Sequence, residues 1–272
     1  MNIRDALHWA AGELVLSCER PVFEVQLLLC HHLNCEKVFL FSNEEKMVEN
    51  IENFKTMVSR RKKSEPYEYI VNSVSFYDID LFVEQGVLIP RPETELLIDE
   101  AARIIEKENI KSIAEIGIGS GAISIILARK FPFLKITATD ISDDALKIAE
   151  KNIESFGLKE RIRLIHANLL DGIEEDFDMI ISNPPYIANN FVLDKNVIDY
   201  EPKVALFGGI VGDELLKKII DLAKIKKVKF LACEMGYDQK QPISEYLKQI
   251  NVNSVKFYTD LAGLDRGFIV KF

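Results

Sequence analysis

Asn183-Pro184-Pro185-Tyr186 follows an apolar run, Phe177 to Ser182, that reads as a strand ending abruptly. Two successive prolines remove two backbone donors and fix φ twice, leaving the Pro184 carbonyl free to accept a hydrogen bond. A primary amide or aromatic amine nitrogen is a poor nucleophile because its lone pair is delocalised, and alkylating it requires that pair to point in line at the incoming carbon. The site must therefore orient the nitrogen. Asn183 Oδ1 and the Pro184 carbonyl can each accept one N–H, while Tyr186 stacks against the flat group. No prior deprotonation is required. Asn183, Pro184 and Tyr186 are thus the candidate catalytic residues, and with Pro185 they form the candidate substrate site. A proline-rich loop without chemistry is the plain alternative, and it leaves the features described next as coincidence.

Glu115-Ile116-Gly117-Ile118-Gly119-Ser120-Gly121 joins another strand-like run to a helical one, and its glycines let the backbone turn tightly and approach a bound nucleoside without Cβ obstruction. Because Ala122 follows, the segment also satisfies the looser dinucleotide pattern, so a nicotinamide enzyme stays open on this evidence alone. Asp140, about 20 residues beyond the glycines, can accept both ribose hydroxyls through its two carboxylate oxygens and suits either cofactor. Its other role is to cap the helix near Ser142, where Ser142 already serves. Asn168 can hydrogen-bond adenine and Leu169 can cover its face; the bland reading is a turn Asn before a core Leu. Glu115 either positions the amino-acid end of the cofactor or simply favours the helix N-terminus. A dehydrogenase has no use for the Asn183 tetrad. The combination therefore points to S-adenosylmethionine, giving S-adenosylhomocysteine as product, with Glu115, Gly117, Ile118, Gly119, Ser120, Gly121, Asp140, Asn168, Leu169 and Asn183 as its contacts.

These residues need a scaffold that brings strand ends together. Strand-like and helix-like runs alternate from Ser112 onward: Ser112 to Ile116, Ala122 to Lys130, Lys135 to Thr139, Ser142 to Phe156, Ile162 to His166, Phe177 to Ser182. This alternation implies a parallel sheet covered by helices, an α/β fold of Rossmann-like type. A helix over Leu215 to Leu222 and a strand from Lys229 to Glu234 continue it. Ser254 to Tyr258 and Gly267 to Phe272 then read as a hairpin at one sheet edge. Before the sheet, Leu7 and Ala11, then Val25, Leu28 and Leu29, then Ile51, Phe54 and Met57 recur at helical spacing. Tyr67 to Ile89 is rich in β formers with Gly86 as a turn, and Pro90-Arg91-Pro92 punctuates before a helix that Thr94 can cap. The expected division is a helical domain over 1–65, a β-hairpin linker over 66–92 and the catalytic domain over 93–272.

With 34 Lys and Arg against 43 Asp and Glu, the net charge of -9 has the wrong sign for a protein whose affinity rests on neutralising phosphates. A direct nucleic-acid substrate is not expected, and Arg60-Arg61-Lys62-Lys63 reads as the solvated end of a helix. No apolar run reaches membrane-spanning length, so no membrane partner is expected. The N-terminus lacks a signal pattern and the four cysteines contain no C-x-x-C pair, which favours the cytoplasm. Cys30, His31, His32 and Cys35 have no second ligand pair, and no metal is expected.

The chain resembles the protein-(glutamine-N5) methyltransferases that act on peptide chain release factors. The resemblance rests on the glycine loop, the Asn183 tetrad, Pro66-Tyr67 with Tyr69-Ile70, and the run from Gly86 to Glu95. Tyr200-Glu201-Pro202, Glu234-Met235-Gly236 and Asp260-Leu261-Ala262-Gly263 extend it over nearly the whole chain. DNA adenine methyltransferases share the tetrad but not the Pro90 to Glu95 segment, so this segment favours a protein substrate over a flipped base in DNA or RNA. The resemblance implies a seven-stranded sheet and a helical N-terminal domain that helps to grip the release factor. It also implies methylation of the glutamine in the Gly-Gly-Gln loop of that partner. Asn168 stands where the family usually has Asp, and Asn72 where a Gly often follows the Tyr-Ile pair.

Overall fold

The computed structural model describes residues 1–272 and divides into two compact units, Met1–Ser73 with Leu193–Tyr200, and Val74–Val192 with Glu201–Phe272. The first unit is helical: α1 (Ile3–Leu14), α2 (Pro21–Leu33), α3 (Lys37–Ser42), α4 (Ile51–Lys62) and α5 (Tyr67–Val71). Its core joins Ile3, Ala6, Ala10 and Leu14 of α1 to Leu28, Leu29 and Phe54. The expected α1 face, Leu7 and Ala11, is displaced by one position and only half-buried, because the small Ala6 and Ala10 let the neighbouring helices approach more closely. The basic run is spent on ion pairs: Arg60 meets Glu65, Arg61 meets Glu24 and Lys62 meets Glu13. Tyr200, in the short segment that returns to this unit, donates to the Lys63 carbonyl at 2.8 Å.

The span expected to form a hairpin linker is partly something else. Tyr67–Val71 is helical, and Asn72 closes it at φ 55°, the left-handed conformation that glycine adopts without strain and asparagine tolerates. The hairpin is short, β1 (Val74–Phe76) against β2 (Ile79–Leu81), and it turns at Tyr77 rather than at Gly86. Its pairs lie in the second unit, so the break in compactness falls at Ser73.

The second unit continues with α6 (Thr94–Glu108), β3 (Ser112–Ile116), α7 (Ala122–Lys130), β4 (Lys135–Asp140), α8 (Asp143–Ser155), β5 (Ile162–His166) and β6 (Met179–Ser182). It ends with β7 (Ile187–Ala188), the short α9 (Lys195–Ile198) of the other unit, β8 (Phe207–Gly209), α10 (Glu214–Ile225), β9 (Phe230–Glu234), α11 (Lys240–Ile250), β10 (Ser254–Thr259) and β11 (Asp265–Lys271). Seven strands form one sheet in the order β10-β11-β9-β6-β3-β4-β5, with β11 antiparallel to both neighbours and the others parallel. Alternate strand residues face opposite layers. Ile113 joins the cluster with Leu97, Ile98, Ile126 and Ile153 of α6, α7 and α8, while Ala114 joins Leu216, Ile219, Ile220 and Leu247 of α10 and α11. Burial on both faces explains why the central strands read as nearly continuous apolar runs.

Asn152 of α8 is almost fully buried and ties three backbone groups together: it accepts from Phe82 N at 2.8 Å and donates to Phe82 O at 2.9 Å and Ser120 O at 2.8 Å. The glycine loop and the segment after the hairpin are thereby fixed to one side chain. Asn152→Ala leaves those groups unpaired, and a loss of roughly 2–4 kcal/mol is expected in a denaturant titration. A loss below about 0.5 kcal/mol, the scatter of ordinary surface changes, would count against this bridge.

Candidate functional site

In a parallel sheet the ligand site lies at the carboxyl ends of the strands where the winding order reverses. Here β3 has β4 on one side and β6 on the other, so the reversal falls at β3. Ile116 pairs with Ser182 and with Thr139, and Asp140 pairs with His166. The glycine loop, Asp140, the Asn168 turn and the Asn183 tetrad therefore leave adjacent strands at one sheet edge. Around them lies a cavity of about 300 Å³. Of the residues expected to contact a cofactor, all but Gly121 line it, together with Pro184 and Pro185; Gly121 lies behind the loop as the N-cap of α7.

The glycine loop takes its shape from positive φ at Gly117, Gly119 and Gly121. Gly117 and Ile118 donate to the Thr139 carbonyl at 2.9 and 3.0 Å, and Gly119 N donates to Asp140 Oδ2 at 3.0 Å. Asp140 Oδ1 accepts from Ser142 N at 2.9 Å. The carboxylate is thus held by the loop it serves, and since a carboxylate offers about four lone-pair sites, acceptor capacity remains for two hydroxyls. Ser142 itself caps α8 by accepting from Ala145 N. Leu169 has φ 53° and lines the cavity beside the exposed Asn168.

Glu115 is buried at the cavity wall. Ser124 donates to its Oε2, while Oε1 has no partner in the protein. Burial raises this carboxyl to about 8, with the Ser124 hydrogen bond acting in the opposite direction. An unpaired buried acceptor at a cavity wall calls for an external donor or cation.

Asn183 is oriented by residues far away in sequence. Its Nδ2 donates to Thr94 Oγ1 at 3.0 Å, and Thr94 Oγ1 donates to Glu234 Oε2 at 2.7 Å. An ionised carboxylate only accepts, so the single Thr94 proton goes to Glu234 and the Thr94 oxygen must accept, which selects the NH2 end of Asn183. Asn183 Oδ1 receives no protein donor, and the Pro184 carbonyl accepts no bond from the chain. Two acceptors on consecutive residues of the cavity wall remain for a ligand.

Tyr186 is placed differently from the expected stacking platform. It is not among the residues lining the cavity; its ring packs against the apolar cluster beneath α10, and its hydroxyl donates to Glu234 Oε1 at 3.0 Å. Burial first, then the Glu234 charge, raises the phenol well above its ordinary value. The ring anchors the tetrad from behind. Thr94 is likewise no cap: Glu93 occupies the N-cap of α6, and the Thr94 hydroxyl faces Glu234.

Several contributors carried little signal in the sequence. Glu234 ends an otherwise apolar strand; its charge there and its place in the Glu234-Met235-Gly236 motif marked it, but neither tied it to Asn183. Gly208 lies so close to the tetrad that a Cβ there would sit 2.4 Å from Pro185 O and 2.9 Å from Tyr186 Cα. Gly86, Val87, Leu88 and Pro90 line the cavity instead of pairing as strands. Arg91 pairs with the buried Glu201, which also accepts from Ile89 N at 3.2 Å, so Arg91 locks this cavity-lining segment in place.

Comparison with known proteins adds to this geometry. The profile of the Methyltransferase small domain matches residues 93–199, and that of the PrmC N-terminal domain matches residues 5–71. The release factor glutamine methyltransferase of Dictyoglomus turgidum is 38% identical over 263 residues, covering 95% of this chain and 91% of that protein. The release factor glutamine methyltransferase of Clostridium acetobutylicum is 34% identical over 276 residues, covering 98% and 97% respectively. Among solved structures, the hMettl16 catalytic domain in complex with the MAT2A 3'UTR hairpin 6 superimposes with a TM-score of 0.60 at 17% identity, over 81% of this chain and 80% of that one, a likeness of fold.

Proposed function

The chain belongs to the release factor glutamine methyltransferase family, and we propose that its cavity holds S-adenosylmethionine while Asn183 and Pro184 present the glutamine amide of a release factor's Gly-Gly-Gln loop for N5 methylation. The observation that carries this reading is the pair of free acceptors, Asn183 Oδ1 and the Pro184 carbonyl, on the cavity wall. A primary amide has two N–H donors in one plane, and two fixed acceptors hold that plane at little reorganisation cost.

The residues present fit the cofactor. The unpaired Glu115 Oε1 suits an ammonium group, the spare lone pairs of Asp140 suit a ribose diol, and Asn168 with Leu169 suits an adenine edge and face. Asn168 does so without the charge usual in this family. When bound, S-adenosylmethionine supplies an electrophilic methyl group on a sulfonium centre. Asn183 and Pro184 turn the amide nitrogen toward that space, and Tyr186, fastened to Glu234, keeps the tetrad from shifting under load. The helical unit supplies a second handhold for the protein substrate, in line with its PrmC N-terminal domain match. No helix is long and apolar enough to cross a membrane.

The test is mass spectrometry of a release factor after incubation with the protein and S-adenosylmethionine. One added methyl on the glutamine of Gly-Gly-Gln is expected. Labelling of DNA or RNA in its place, steeply lost with salt, would instead favour an amino-methyltransferase acting on a flipped base.

A further inference from the structure

Resting on the glutamine reading above, we propose that Glu234 is a positioning residue whose ionised carboxylate, acting through the Thr94 hydroxyl, keeps the Asn183 amide turned with its oxygen toward the substrate, so that turnover follows the ionisation of this one group.

Proton counting distinguishes the two states. Glu234 is buried, and its two oxygens accept from Thr94 at 2.7 Å and from Tyr186 at 3.0 Å. With the carboxylate ionised, all three groups in line have one consistent arrangement: Asn183 NH2 to Thr94 oxygen, Thr94 proton to Glu234. When Glu234 takes a proton, one oxygen becomes a donor and one neighbour must accept. A proton on Oε1 would face the Tyr186 hydroxyl, whose hydrogen bonds to nothing else in the chain, and would leave that largely buried hydrogen unpaired. On Oε2 it faces Thr94, which can pass its own proton to Asn183 if the amide rotates by half a turn. The second arrangement keeps the Glu234, Thr94 and Tyr186 protons all bonded, and it presents Asn183 NH2 to the cavity. A donor there repels the substrate N–H it should accept.

The groups around Glu234 set where this switch lies. Thr94 and Glu93 approach from α6, Tyr186 from the tetrad, Arg266 from β11, Tyr258 from β10 and Cys233 from its own strand. Arg266 is shared with Asp260 at 2.7 Å and with Glu93 at 3.6 Å, so its charge offsets little of the burial cost. Burial therefore dominates and raises Glu234 to about 7, against the Thr94 and Tyr186 hydrogen bonds. The neutral form is the inactive one, so activity climbs as pH rises through that value and falls away below it.

The experiment follows single-turnover methylation of a Gly-Gly-Gln release factor from pH 5.5 to 9, alongside the side-chain amide 15N resonance of Asn183, for wild type, Thr94→Val, Thr94→Ser and Glu234→Gln. Wild type should show a one-proton rise near pH 7 in both readouts. Thr94→Val, which removes only the hydroxyl, should lower kcat by roughly 10- to 100-fold, the range seen when a group orienting a first contact is lost, with KM nearly unchanged. Thr94→Ser should restore most of it. In Glu234→Gln both the kinetic limb and the titration of the Asn183 resonance should vanish. The relay is overturned if the limb or the titration survives in Glu234→Gln, or if folded Thr94→Val keeps wild-type kcat. A wild-type protein that leaves the glutamine unmethylated sinks the substrate reading alone, because the Asn183 resonance reports on the relay without turnover.

Discussion

Asn183→Ala is expected to lower kcat for glutamine methylation by roughly 100-fold or more, while affinity for S-adenosylhomocysteine changes by less than about tenfold. The asymmetry follows from what the side chain holds. In the proposed reading its Oδ1 is one of two acceptors for the substrate nitrogen, and losing one fixed dipole at a reacting centre costs on the order of 3 kcal/mol. Apart from Asn183 itself, the cofactor contacts proposed above are spread over the glycine loop, Glu115, Asp140, Asn168 and Leu169, cavity residues that the substitution leaves in place. Truncation also frees Thr94, whose hydroxyl keeps Glu234 as its acceptor, so folding stability should hold. Single-turnover kinetics with calorimetric titration of S-adenosylhomocysteine separates the two effects. Unchanged turnover would remove the basis for the proposed mechanism.

Gly208→Ala should be nearly as damaging, although Gly208 offers no side chain to any reaction. A Cβ there would lie 2.4 Å from both Gly212 O and Pro185 O. Both are backbone atoms, so no flexible side chain can yield, and either β8 or the tetrad must move. Overpacking of this kind costs about 1–3 kcal/mol in stability. A displacement of the tetrad by about 1 Å is enough to cost on the order of 100-fold in rate. Gly12 provides the contrast: it sits in α1 with nothing within 4 Å of the place a Cβ would take, and alanine there should stabilise by roughly 0.5–1 kcal/mol. Thermal melts and kcat measured on the two variants check both statements, and a fully active Gly208→Ala would show that the tetrad tolerates displacement.

How much of this was legible in the sequence depended on the range of the interaction. Runs such as Ser112 to Ile116, Ala122 to Lys130 and Ile162 to His166 match β3, α7 and β5 as observed, because apolar periodicity reports on a residue's own backbone and the layer it faces. The hairpin reading of 66–92 went astray where propensity was outweighed. Tyr67 to Val71 is rich in β formers, yet Pro66 opens and Asn72 closes a helical turn whose Tyr69 and Ile70 are buried. In α1, Leu7 is a better core residue than Ala6 on hydrophobicity alone, whereas the packing selected the smaller side chains.

The site divides along the same line. By itself the sequence determined that a glycine loop, an acid, an Asn turn and the Asn183 tetrad would each follow a strand, and that the Pro184 carbonyl would be a free acceptor, since proline geometry and strand periodicity are local. Only the tertiary structure decided which end of the Asn183 amide faces the ligand and that Tyr186 anchors the tetrad. Those outcomes rest on Thr94, 89 residues from Asn183, and on Glu234, 140 residues from Thr94. A hydrogen bond is directional and short, so its partners are named by strand order and register, and no spacing along the chain carries that information.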